Sequence, residues 1–248
     1  MNKPGLCLAM LWIAGCALGP SYRARADLEE KVKTIKSVVL LPPRVEVYQL
    51  DAGGTREEIE EWSNRARANI VAAVEREFGE KTGLPLRSID EGGMSEDLMS
   101  NLEETEALFD AVQASIMLHT YGPLASLFEE KPDFDYSLGE EVRPLAPEGE
   151  DALLLITAAD HIWTEGRKAL LTVGVLSAIG ARFGLGGGGI PVLAGGTEVS
   201  AALVDSKNGS ILWFNYFAAR RGYDLRDAES AAELVRDLLK DLQIARDK

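Results

Sequence analysis

Apolar positions in this chain recur with two periods, and the two periods separate strands from helices. From 195 to 219 the sequence Gly-Gly-Thr-Glu-Val-Ser-Ala-Ala-Leu-Val-Asp-Ser-Lys-Asn-Gly-Ser-Ile-Leu-Trp-Phe-Asn-Tyr-Phe-Ala-Ala reads as two strands around a tight turn. Asp205 can accept a backbone N–H two residues on, and Asn208-Gly209 tolerate the positive φ of a short hairpin loop. Val199, Ala201 and Leu203 share one face, yet Ala202 and Val204 on the other are apolar too. Strands apolar on both faces are covered on both sides, which predicts central strands over 197–205 and 210–219. Two more apolar runs, 36–48 and 152–162, read the same way, and 84–89 is a shorter candidate. Pro42-Pro43 bars ladder bonds within the first of these, so a kink is expected there.

Helical spacing takes over elsewhere. Thr55-Arg-Glu-Glu58 has the form of a capping box, followed by Ile59, Trp62, Ala66, Ile70, Ala73, Val74 and Phe78 and an end near Gly79 to Gly83. Met94 to Tyr121 predicts one long helix or two short ones, with Leu98, Leu102, Leu108, Phe109, Val112, Ile116 and Met117 as the apolar set. Asp227 opens a last helix carrying Ala231, Leu234, Val235, Leu238, Leu239 and Leu242. Residues 129–150 form a long acidic loop, of a length that is either functional or mobile. Phe134, Tyr136 and Leu138 within it are expected to be pinned to the body, because three large apolar groups would otherwise stand in water.

One segment is apolar nearly all round. From Ala169 to Ala181, thirteen residues before Arg182, a helix would span roughly 20 Å, short of the roughly 30 Å hydrocarbon core. Buried core or a subunit interface through Leu170–Ile179 is therefore expected ahead of membrane insertion. The N-terminus carries a second apolar run, Leu6 to Gly15 behind Lys3, which is the pattern of an export signal. It ends in Ile13-Ala14-Gly15-Cys16, which resembles the lipobox of bacterial lipoproteins: small residues at 14 and 15 fit the peptidase cleft, and only a thiol at 16 can be alkylated. The expectation is a signal peptide over 1–15, a lipidated Cys16 with a tether over 16–35, and a folded domain over 36–248. The competing site, Ala24-Arg25-Ala26 before Asp27, would leave a soluble periplasmic product, but arginines at 23 and 25 sit badly in such a region. Ala17, rather than aspartate, after the cysteine implies sorting to the outer membrane, on its periplasmic face.

Charge and composition narrow the partners. A formal net charge of −14 opposes nucleic-acid binding, which wants a basic face. The 46% hydrophobic and 27% charged residues describe an ordinary folded protein. Both cysteines, Cys7 and Cys16, lie at the extreme N-terminus, so the rest of the chain offers no disulfide, thiolate metal site or thiol nucleophile.

Candidate chemistry is thin. Gly184-Leu-Gly-Gly-Gly-Gly189 formally contains Gly-x-Gly-x-x-Gly, but a dinucleotide loop must follow a strand and open a helix, and this one follows a helical pattern and precedes Ile190-Pro191. A flexible connector is expected. Two histidines, His119 and His161, make a weak zinc case without carboxylates converging nearby. No Gly-x-Ser-x-Gly elbow occurs. The enzymatic alternative is a hydrolase with a site near Asp160, His161 and Asp205, and it requires those three side chains to converge. No catalytic residue, cofactor or metal is expected otherwise.

The strand Val38–Pro43, the strand Ala152–Ile156 and the hairpin Ala201–Trp213, behind a lipobox, are together similar to a group of bacterial envelope lipoproteins related to the curli-secretion lipoprotein and to the N-terminal domain of TolB. The resemblance implies a mixed sheet flanked by helices in a periplasm-facing lipoprotein, and no catalytic residues carry over. Lys168–Gly189 lacks the paired alternating segments that a barrel-forming secretion pore would need. The sequence thus predicts an α/β fold, a single domain with a mixed sheet of about five strands, antiparallel at its C-terminal hairpin. Its expected role is to bind or scaffold envelope components, with an oligomeric export channel as the alternative.

Overall fold

The computed structural model describes residues 22–51, 55–121, 133–146, 150–164, 196–219 and 223–242. Its elements run β1 (Tyr22–Ala24), α1 (Leu28–Thr34), β2 (Val38–Leu40), β3 (Arg44–Leu50), β4 (Arg56–Glu58), α2 (Glu60–Thr82), β5 (Leu86–Ser88), α3 (Glu96–Ile116), β6 (Ala152–Trp163), β7 (Thr197–Asp205), β8 (Ile211–Ala219) and α4 (Ala228–Leu238). The eight strands form one mixed sheet, and the fold is α/β as the periodicity predicts. β6 lies at its centre. One edge of β6 pairs antiparallel with β7 along Ala152–Asp160. The other edge is shared, with β2 parallel to its first residues and β3 parallel to Thr157–Trp163. The gap between β2 and β3 is Leu41-Pro42-Pro43, where two consecutive residues have no N–H to give the ladder.

Both faces of β6 are buried from Ala152 to Ile156, which is why its apolar run does not alternate. Leu154 and Ile156 join Val38, Leu40, Val45, Val47, Leu203 and Trp213 against Ile70, Val74 and Phe78 of α2 and Leu234, Val235 and Leu238 of α4. Leu153 and Leu155 join Val39, Leu41, Ala202, Val204 and Phe214 against Leu102, Phe109 and Ile116 of α3. Each fully buried Leu, Ile or Phe contributes about 1.5–3 kcal/mol, so the sheet is held by both helical layers at once. The long helix is a single one, capped by Ser95, whose hydroxyl accepts from the Leu98 N–H. Leu108, expected in its apolar set, is exposed. α4 starts as expected, with Asp227 accepting from the Ser230 N–H at 2.9 Å. α2 ends at Gly83, whose φ of 62° is left-handed.

Three expectations change. Thr55 to Glu58 is not a capping box: Arg56–Glu58 pairs antiparallel with β3, and α2 opens after Ile59 with no side-chain cap. Glu58 instead accepts from Ser63 Oγ, which itself takes the Val47 N–H. The segment expected as a tether over 16–35 is folded from Tyr22 onward, because β1 pairs with Trp213–Asn215 of β8 and α1 buries Val32. The sheet is also larger than the expected five strands, since β1 and β4 are short and polar and the run over 36–48 divides in two.

The acidic loop is fastened, in its described part, to the β7–β8 turn. Tyr136 and Leu138 are buried and Phe134 packs beside them, as their apolar character required. Leu138 N–H donates to Gly209 O at 2.8 Å, Ile211 N–H to Tyr136 O at 2.9 Å, and Arg143 Nε to Lys207 O at 2.5 Å. Gly209 has a φ of 68°, and a Cβ there would collide with the backbone of Gly139. Gly209→Ala should therefore cost at least about 3 kcal/mol, combining left-handed strain with displacement of that backbone. Urea titration checks the loss, and limited proteolysis should show new cleavage within 133–146.

Candidate functional site

The three residues of the enzymatic alternative do not meet. Asp160 and His161 are neighbours on β6, so their side chains leave opposite faces of the sheet. Asp160 pairs with Thr197 and Asp205 with Ala152, at the two ends of the same ladder, about 26 Å apart along the strand. No hydrogen-bond relay crosses that distance, so the hydrolase alternative is overturned. Each residue has a structural task instead.

Asp160 is a buried staple. It is 1% exposed and accepts from Thr197 Oγ1 at 2.9 Å and from the Leu225 N–H at 3.1 Å. It thereby ties β6 and β7 to the lead-in of α4. Burial pushes its carboxyl above the usual carboxylate range, and the two donated hydrogen bonds offset part of that rise. Beside it Arg226 grips Asp224 through Nε at 2.8 Å and Nη2 at 2.7 Å, and its guanidinium lies 4.4 Å from the Trp62 ring centroid. Asp205 is a turn residue, as the sequence implies: Oδ1 accepts the Lys207 N–H at 2.9 Å and Oδ2 accepts from Lys31 Nζ at 3.3 Å. A polar cleft of about 90 Å³ between α1 and this turn places Asp151 and Asp205 against Lys31 and Lys207. Its charges cancel, which suits a bridge between elements.

His161 belongs to a different surface. Its ring stacks on Tyr48 with centroids 5.3 Å apart, and Nδ1 lies 3.3 Å from Gly196 O. The Arg56 guanidinium lies 3.9 Å from the Tyr48 ring centroid, and the Tyr48 hydroxyl donates to Glu46. On the same sheet face, Ser200 Oγ donates to Gln113 Oε1 at 2.8 Å and lies 2.7 Å from Thr157 Oγ1. Beyond that cluster the face is no longer apolar: Glu46, Tyr48, His161 and Tyr216 are half-buried, and Glu198 and Ala218 are exposed. His119 lies in the π-helical turn Met117–Tyr121 that extends α3, and it does not join His161 in a metal site. Among the described residues no group of three or more His, Cys, Asp or Glu side chains could hold a metal ion, and no helix is long and apolar enough to cross a membrane.

The edge of the sheet beside this face is the feature that sequence reasoning missed. β1 covers only Trp213–Asn215 of β8, so Tyr216–Ala219 has no strand partner on that side among the described residues. Tyr121 packs edge-on against Phe214 and Tyr216, with ring centroids 5.9 and 5.8 Å away, and the Arg23 guanidinium lies 5.5 Å from its own centroid. Burial pushes the Tyr121 hydroxyl up to about 12. The available signal was Tyr22-Arg23-Ala24 itself, three residues too short to show a period. Cys16, Leu170–Ile179 and the Gly184–Gly189 loop lie outside the described residues.

Asp160 yields a prediction with a definite sign. Because its folded pKa is raised above the ordinary value of 3.8, ionising it costs more in the folded chain than in the unfolded one. Its favourable contribution is complete below 3.8 and is lost as pH rises through the window up to the raised folded value, above which it stays level. Asp160→Asn has no such slope, so the stability difference between wild type and variant should move against the wild type across that window in urea titrations. Asp160→Ala leaves the Leu225 N–H without its partner and should cost about 1–3 kcal/mol.

Among solved structures, the chain is similar to PelC from Paraburkholderia phytofirmans, solved as a dodecamer, at 12% identity and a TM-score of 0.34, over 91% of this chain and 96% of that one. It is also similar to the lipoprotein GNA1162 from Neisseria meningitidis, at 15% identity and a TM-score of 0.30, over 84% of this chain and 96% of that one. No family model and no curated protein matches the sequence.

Proposed function

We propose that this protein is an outer-membrane lipoprotein, held to the bilayer by acyl chains on Cys16, whose body binds or scaffolds other components of the cell envelope on the periplasmic side. The observation that carries the reading is the position of β1. Cleavage after Ala26 would remove Tyr22–Ala24, a strand of the sheet, and with it the Arg25 N–H bond to Leu212 O at 3.0 Å and the Arg25–Asp27 ion pair. Cleavage before Cys16 leaves all of these in place. A processing site that cuts a paired strand away from the body works against the fold, whereas one at the lipobox leaves the strand attached. The binding role is supported by the surface rather than by chemistry: Asp160, His161 and Asp205 are each engaged structurally, and the half-buried polar and aromatic face around Tyr48, His161 and Tyr216 adjoins Tyr216–Ala219, which has no strand partner on its outer side among the described residues.

Metabolic labelling with an alkyne-bearing fatty acid tests the anchor. The wild-type chain should carry the label and sediment with outer membranes, and Cys16→Ala should lose both properties. A mature chain that begins at Asp27 and stays unlabelled in the periplasm would overturn the reading.

A further inference from the structure

The geometry points to one side of the body that meets the membrane: the end of the sheet marked by Tyr22 and Ala219. We infer that the lipid surface is the partner of this edge, and the inference rests on the Cys16 anchor proposed above. Only five residues separate Cys16 from Tyr22. Six peptide steps span at most about 21 Å when fully extended. The body therefore hangs on a short leash, and some part of the β1–β8 edge must lie within that distance of the bilayer.

Strand direction decides which part. β1 is antiparallel to β8, with Tyr22 opposite Asn215 and Ala24 opposite Trp213, so its N-terminal end is directed toward Ala219. Ala219 lies four residues beyond Asn215, about 13 Å along the strand. A chain continuing the line of β1 thus reaches past the end of β8 with about 8 Å to spare. The opposite end of the sheet, at the Asp205–Gly209 turn, lies about 17 Å from Asn215 in the reverse direction, so a leash would have to double back along β1 to bring it to the surface.

The side chains at this edge suit a headgroup region. Tyr22, Tyr216, Phe217 and Tyr223 are half-buried, so each ring has an apolar part in the core and a part outside it. Rings with one end in apolar surroundings and one in water concentrate at membrane–water interfaces. Arg23 adds a positive charge in a chain whose net charge is −14. Exposed Glu198, paired with Ala218 across β7 and β8, keeps the contact at headgroup depth rather than in hydrocarbon.

The test uses the lipidated full chain in vesicles of phosphatidylethanolamine and phosphatidylglycerol. Lipid blocks Cys16 and Cys7 leaves with the signal peptide, so a cysteine introduced at an exposed site becomes the single free thiol. Ala218→Cys and Lys207→Cys, at opposite ends of the hairpin, are labelled with a polarity-sensitive fluorophore and quenched by a headgroup nitroxide lipid. The label at 218 should be quenched several-fold more than the label at 207. A flexible Gly-Ser insert of ~20 residues after Ala17 should leave vesicle flotation intact while the quenching at 218 falls to the level at 207. Equal quenching at the two positions of a floating protein would overturn the orientation and leave the anchor standing. Ala218→Cys chains that disulfide-link to each other would assign the edge to a second copy instead, and quenching at 218 that survives the insert would remove the short leash as its cause. A chain that lacks the diacylglyceryl mass and fails to float would take down the anchor, and this inference with it.

Discussion

Everything in this fold follows from the need to satisfy β6. That strand runs for twelve residues, with both faces buried from Ala152 to Ile156, so the backbone N–H and C=O groups on both edges of that stretch need partners within the protein. β7 supplies one edge in a single antiparallel ladder. The other edge cannot be supplied by one strand, because Pro42 and Pro43 have no N–H to give. The solution is two strands in line, β2 below the prolines and β3 above them, each parallel to β6. The break has a consequence for the edge of the sheet. β2 is extended outward by β5 and β3 by β4, so the sheet forks where the prolines divide it. Forking raises the strand number without adding a long strand, and it leaves short, charged edge strands that resist pairing with other chains.

The opposite edge is managed differently. Backbone bonds from the described part of the acidic loop meet the β7–β8 turn, and Gly209 packs there against Gly139 with no room for a side chain. That contact closes the lower end of the hairpin. The upper end is left with Tyr216–Ala219 partnered on one side alone among the described residues. The two ends of one hairpin thus have opposite characters among the described residues, one locked by backbone bonds and the other paired on one side alone.

The pattern of apolar residues made the long strands and the helices legible because each buries a continuous face, and burial writes itself into local sequence. Ala152–Trp163, Thr197–Asp205 and Ile211–Ala219 fall within a residue or so of the expected spans. β1 and β4 were illegible for the same reason in reverse. Three residues cannot display a period, and Tyr22-Arg-Ala and Arg-Glu-Glu have no apolar alternation to show. Glu58 looked like the partner of Thr55 because sequence spacing is local, whereas its actual donor, Ser63 Oγ, also takes the Val47 N–H of a strand sixteen residues back. Asp160, His161 and Asp205 failed as a site through register: an antiparallel ladder sends residues close to the hairpin turn and residues far from it to opposite ends, and only the pairing reveals which is which.

Given the anchor proposed at Cys16, charge gives the short leash its physical meaning. An acidic body is repelled by an anionic lipid surface, but the repulsion decays over a Debye length of about 8–10 Å. On a long tether the body would drift beyond that range and present no preferred side. On a leash of at most about 21 Å, part of the body stays at the edge of the field, and the side turned inward is the one with least negative charge. Tyr22-Arg23-Ala24 contains the cation Arg23 and no carboxylate, with Arg25 paired to Asp27 just after it, and it is also the point at which the chain joins the sheet. With the anchor at Cys16, chain connectivity and electrostatics therefore select the same face, and they do so independently: one depends on the count of residues before β1, the other on which residues β1 contains.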